Sequence, residues 1–351
     1  MPPVNRLLWP EGALRPDRMF WQVALPALAA IIVAGFLVLP SILRINLAVL
    51  LGLLVAIEVG FVVAESFRAP GGTSAVPVVT EESFVIEPHP ILGYRPAPNQ
   101  RATRRRTQGS AVLYDVVYTI GPAGWRVSTP PGPDAPRSRF IAVFGDSFVF
   151  GSGLQDHETL PVQLATLAPD HRAYNFGVPG YGPQQNLAIV SELPVREWIA
   201  ERRGVALFIL GGDSLARLVG TMPVHLAFAH QHPLYRLDAA GQVVHAGSLT
   251  TGRPFTAALF PLLARSATIR RYGWPLPDPY SRQNLTLAAK LLRSSCDHLR
   301  HAFLLERCVL LLHPTATALV PLIDRLRREG VDYLDYPALR ERGPVRVLHP
   351  R

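Results

Sequence analysis

From residue 140 onward, short apolar runs alternate with helical patterns, and this alternation restricts the possible folds more than any other feature of the chain. Residues 140–144, 173–176, 205–210, 308–312 and 331–334 are runs rich in aliphatic and aromatic side chains. Runs of this kind suit strands buried on both faces of a parallel sheet. Helical periodicity falls between them, near 159–167, 184–201, 284–303 and 316–328. Five strands alternating with helices predict an α/β chain, a flavodoxin-like three-layer sandwich around a parallel five-stranded sheet. In such sheets ligands bind beyond the carboxyl ends of the strands.

Two apolar runs precede this region, at 20–39 and 45–63. Each is about 20 residues, long enough to cross a hydrocarbon core of roughly 30 Å. A secretory signal has a shorter apolar core that ends at a small-residue cleavage site, so the runs read as two transmembrane helices. A buried helical hairpin is the soluble alternative. The expected order is an N-terminal tail (1–19), the two spans (20–66), a linker and small β-containing pre-domain (67–139), and the α/β domain (140–351). Pro-rich connectors occupy 69–80 and 130–136, and 111–120 alternates as a half-buried strand does. An insertion at about 214–282 holds a plausible hairpin, 234–238 with 242–246. It follows the third strand, so it could be a lid, an acceptor-binding surface or a structural excursion.

The formal charge of +9 resides in arginine, Lys290 being the only lysine. Its densest cluster, Arg104 to Arg106, has no aromatic interleaving. That excludes a recognisable nucleic-acid module and leaves a solvated face or contact with anionic lipid. The Arg, Ala and Pro bias suggests a bacterial chain. Arg6, Arg15, Arg18 and Arg68 flank the pair of spans while Arg44 alone lies between, a count that favours a cytoplasmic domain. Cys296 and Cys308 are the only cysteines. They could pair in an oxidising compartment or remain buried thiols. His230 with His232, and His298 with His301, lack the further ligands of a zinc site, and no phosphate-binding glycine loop is present. No metal or other cofactor is expected.

Three strand ends coincide with unusual stretches: Gly145-Asp146-Ser147, Asn175 to Gly182 (NFGVPGYG), and Leu210-Gly211-Gly212-Asp213-Ser214. Ser147 could be a helix cap or a nucleophile. In order and spacing the three stretches resemble blocks one, two and three of the SGNH/GDSL hydrolase superfamily. His89-Pro90, Leu92 to Arg95 and Gly124-Trp125-Arg126 resemble the pre-domain of its membrane-anchored bacterial members. The resemblance covers most of residues 80–349.

The resemblance implies a serine esterase. Ser147 would be the nucleophile that forms an acyl-enzyme, with Asp146 and Gly145 in support. The backbone N–H groups of Ser147 and Gly180 would contribute to the oxyanion hole. The family places an Asn amide after the third strand. Here Gly212 and Asp213 stand there, and a carboxylate donates only when protonated, which requires strong burial. His349, in His349-Pro350, would be the base, although Arg346 and Val347 occupy the place of its usual carboxylate partner. The implied substrate is an ester-bearing small molecule, glycan or lipid. The family also includes O-acetyltransferases, and its anchored members usually face outward from the cytoplasmic membrane. A degenerate domain that binds glycan or a membrane partner without turnover is the alternative.

Overall fold

The computed structural model describes residues 30, 40–67, 78–128, 136–313 and 316–335. The chain divides into two compact units, one comprising 1–75 with 253–274 and the other 76–252 with 275–351.

In chain order the elements begin with helix α1 (Ser41–Ser66). Strands β1 (Val78–Glu82), β2 (Ile86–His89), β3 (Gly93–Pro96), β4 (Gln100–Gln108) and β5 (Ala111–Ile120) follow. The α/β region contains β6 (Arg139–Gly145), α2 (Ser147–Phe150), α3 (Leu160–Leu167), β7 (His171–Gly177), α4 (Pro183–Glu192), α5 (Val195–Trp198), β8 (Arg203–Leu210) and α6 (Ser214–Val219). After it come β9 (Pro233–Leu237), β10 (Val243–Ser248), α7 (Pro254–Leu263), α8 (Ala267–Tyr272), α9 (Arg282–Ala302), β11 (Leu304–Leu312), α10 (Ile323–Arg328) and β12 (Asp332–Leu334).

In the larger unit the sheet order is β7-β6-β8-β11-β12, and every neighbouring pair is parallel. Numbered by sequence within the sheet this is 2-1-3-4-5, the flavodoxin-like order, whose switch point lies between its first and third strands. Here those strands are β6 and β8. Phe144 pairs with Phe176 on one side and Phe208 on the other, and its ring stacks on both at 4.8 Å. This row of three phenylalanines forms part of the core under the carboxyl ends of the strands. On the opposite face Ile141, Val143 and Ile209 pack with Val149. Helix α9 shows why its sequence is helical: Leu285, Ala288, Leu292, Cys296 and Leu299 recur at spacings of three and four and are all buried. Ser281 caps its start by accepting from Asn284 N. Cys296 of α9 is disulfide-bonded to Cys308 of β11, so of the two expected cysteine states the pair adopts the bonded one.

Several boundaries differ from the expected ones for local reasons. The helix expected over 184–201 is broken into α4 and α5, because Pro194 lacks an N–H and disfavours helix before it. The helix expected over 316–328 begins as a 3-10 turn containing Pro321 and becomes α-helical only at Ile323. The last residues of the connector expected at 69–80 belong to β1, which pairs antiparallel with β4. The connector at 130–136 falls largely outside the described residues. The insertion contains the expected hairpin, with β9 and β10 antiparallel and Val243 opposite Leu237.

Two transmembrane helices were expected. Among the described residues one helix, α1, is long and apolar enough to cross a membrane, and the first expected span, 20–39, lies outside the described residues except for residue 30. At a rise of about 1.5 Å per residue α1 is roughly 39 Å long.

Candidate active site

The turn that carries Ser147, the expected nucleophile, is built by the abrupt end of β6. Asp146 leaves the strand and caps the one-turn helix α2, its Oδ1 accepting from Phe148 N at 2.9 Å. Its Oδ2 accepts from Arg217 Nη1 at 2.6 Å. Both carboxylate oxygens are therefore occupied, and Asp146 positions the turn. Ser147, the first residue of α2, is buried at the carboxyl end of β6, beside the switch point.

Close approach holds the second stretch against the first. Val178 N donates to Gly145 O, and a side chain at Gly177 would overlap Phe150 N. Gly180 has φ +90, a left-handed conformation that favours glycine, and a Cβ there would overlap the Tyr94 hydroxyl. That hydroxyl donates to Pro179 O at 2.6 Å, and the Tyr181 hydroxyl donates to Tyr94 O. Burial raises the pKa of both phenols, so both remain protonated donors.

Arg217 of α6 joins all three strand ends. Besides Asp146 it donates to Tyr181 O at 3.2 Å, and its Nη2 lies 3.9 Å from Asp213 Oδ2. Asp213 itself points outward, its side chain 82% exposed. The burial that would let this carboxyl donate to an oxyanion is not found there. Tyr280 lies over the same turn, its hydroxyl 3.5 Å from Gly212 O, and burial and the nearby Asp213 raise its pKa.

The segment that precedes the sheet braces the turn from behind. Arg126 bridges in antiparallel fashion to Asn175 on the edge strand β7. Its side chain, 0% exposed, donates to Phe150 O and Gly151 O at 2.8 Å, to Leu154 O at 2.7 Å and to Asp156 Oδ1 at 3.0 Å. Its guanidinium also lies over the Tyr118 ring, 4.4 Å from the centroid. Burial pulls its pKa below the ordinary arginine value and Asp156 opposes that shift. The carbonyls it engages lie three to seven residues after Ser147, so Arg126 fixes the exit of the turn that carries Ser147.

His349, the expected base, lies outside the described residues. His313 follows β11 with its ring stacked on Phe148 at 4.2 Å, and Ala316 N donates to His313 O at 2.8 Å. His232 is buried against Tyr94, and that burial, with Arg217 nearby, lowers its pKa to about 3. An imidazole so hard to protonate is a poor general base at neutral pH. Among the described residues no group of three or more His, Cys, Asp or Glu could hold a metal ion.

Sequence reading did not assign roles to Arg217, Tyr94 or Arg126. The signals were present: Arg217 stands four residues after Asp213, an acid–base pair at helical spacing. Tyr94 and Arg126 lie within the two pre-domain stretches.

The sequence matches no protein-family model and no curated protein. Among solved structures it is similar to AlinE4, an SGNH-hydrolase family esterase, at 16% identity over 62% of this chain and 89% of that chain, with a TM-score of 0.32. The S13A mutant of the same esterase is similar at 15% identity over the same shares of the two chains, with a TM-score of 0.33. A carbohydrate esterase whose active site is described as having divergent catalytic and non-catalytic binding functions is similar at 9% identity over 74% of this chain and 89% of that chain, with a TM-score of 0.31.

Proposed function

We propose that this chain is a membrane-anchored serine esterase of the SGNH/GDSL type, acting on an acyl or acetyl ester of a glycan or lipid. The observation that carries the reading is the placement of Ser147. It starts a one-turn helix at the carboxyl end of β6, beside the switch point, with Gly177 packed against Val149 and Phe150 of that helix. In this mechanism Ser147 Oγ forms a bond to the ester carbonyl carbon as its proton passes to the base, for which His349 is the candidate. The backbone N–H groups of Ser147 and Gly180 stabilise the oxyanion. The alcohol leaves with the proton, and water then releases the acid from the acyl-enzyme, or a glycan hydroxyl accepts the acyl group.

The membrane anchor rests on the length and composition of α1. The bonded Cys296–Cys308 pair supports an outward-facing domain, because disulfides persist in oxidising compartments. Resistance of both cysteines to alkylation in intact cells, relieved by reductant, is the expected result; free thiols would place the domain inside.

The test of activity is hydrolysis of p-nitrophenyl acetate by the detergent-solubilised chain, beside labelling by a fluorophosphonate. Turnover and labelling that both vanish in Ser147→Ala support the esterase. A folded wild-type protein with neither would leave the second reading, a domain that binds glycan without turnover. One feature favours that reading: the turn after β8 presents no side-chain amide and an outward carboxylate.

A further inference from the structure

The smaller unit contains a segment that is far from α1 in sequence. We infer that Arg253–Trp274, which interrupts the sequence of the α/β domain, is a second membrane element: a helical hairpin inserted shallowly into the leaflet at the C-terminal end of α1 and pinned there by Glu58. The inference rests on reading α1 as a membrane span.

Glu58 is the only charged residue between positions 45 and 64. It lies eight residues before the end of a helix longer than the hydrocarbon core, so it sits just inside the apolar layer. A carboxylate there is costly unless it is paired or hydrogen-bonded. Its Oε2 accepts from Ser266 Oγ at 2.9 Å, Thr268 Oγ1 at 2.8 Å and Thr268 N at 3.2 Å, and Oε1 accepts from Ala267 N. These donors form the start of α8, whose first N–H groups have no partners within the helix. The carboxylate and the open helix end therefore satisfy each other, which requires both to lie at one depth.

One face of α1 continues the contact. Three residues beyond Glu58, the Phe61 ring meets Tyr272 edge-on at 5.7 Å. One turn further, Glu65 pairs with Arg270 at 2.9 Å. Tyr272 stacks on Trp274, and both rings are exposed, the amphipathic aromatics that favour the membrane–water interface.

Helix α7 supplies the inserting surface. Residues 254–264 (PFTAALFPLLA) contain no charge, and Phe255 is 76% exposed. Ten residues reach about 15 Å, too short to span a bilayer but suited to lying within one leaflet. Arg253 and Arg265 bracket this stretch in the sequence.

The test uses the full chain reconstituted in phosphatidylcholine–phosphatidylglycerol vesicles. An environment-sensitive fluorophore is placed on Phe255→Cys or, separately, on Leu54→Cys at the middle of α1, with the native cysteines already bonded. Quenching by lipids doxylated at shallow and deep positions reads the depth of each. Strong shallow quenching at 255 together with deep quenching at 54 supports the inference. Quenching at 54 alone overturns the hairpin and leaves the anchor standing. Quenching at neither overturns the anchor and the hairpin with it. Glu58→Leu should abolish most quenching at 255 and leave 54 unchanged; undiminished quenching at 255 would overturn the role of Glu58 as the pin.

Discussion

The turns after β6 and β8 flank the same switch point and are built in opposite ways. After β6 both oxygens of Asp146 are engaged, Ser147 is buried, and Arg126 grips the carbonyls that follow. After β8 a Cβ on Gly212 would touch nothing within 4 Å, and Asp213 faces solvent. A fixed turn suits a nucleophile, because misplacement by an ångström is expensive in rate. An open turn suits a position where a donor has been lost or where a ligand is accommodated. Arg217 touches both, and so passes rigidity from the first turn to the edge of the second.

The comparison breaks first at Ser147. Ser147→Ala should lower kcat of the proposed ester hydrolysis by about 10⁴-fold or more while leaving the thermal unfolding curve in place. Arg126→Met should act on the fold: it strands four carbonyls, those of Val117, Phe150, Gly151 and Leu154, together with Asp156, for an expected loss of about 3–5 kcal/mol in denaturant titrations, with turnover falling as the turn loosens. Arg126→Lys, which cannot make the forked contacts, should recover only part of that loss.

A smaller effect is expected at Gly180. Gly180→Ala places a side chain on left-handed backbone and against the Tyr94 hydroxyl, for a cost of about 1–3 kcal/mol. Adding Tyr94→Phe should return part of it, so the double variant should be more stable than the sum of the single effects predicts. At the open turn, Asp213→Asn should change stability by less than about 0.5 kcal/mol. It should raise kcat, by no more than the 10²-fold or so that one oxyanion donor can supply. A decrease would mean that the carboxylate, not a missing amide, is what this site uses.

What was legible in the sequence was local. Apolar runs such as 140–144 identify buried strands because burial on both faces removes the alternation of a half-exposed sheet. The small residues of Gly145-Asp146-Ser147 and of 175–182 mark where strands stop and backbone must pass closely. What was not legible depends on long-range contacts or on proline. Pro194 and Pro321 carried signals that periodicity outweighed, and the helices there are correspondingly shorter.

The sequence by itself determined the α/β alternation, the strand ends and the candidate Ser147, because hydrophobic period and turn chemistry are properties of neighbouring residues. Tertiary structure alone decided that Arg126 closes the turn 28 residues away at Leu154, that Arg217 joins three strand ends, and that Glu58 meets Thr268 across 210 positions. A buried charge has no local signature. Its partner is whichever group the folded chain brings within hydrogen-bond reach, and that is settled only when the sheet has closed and the helices have packed.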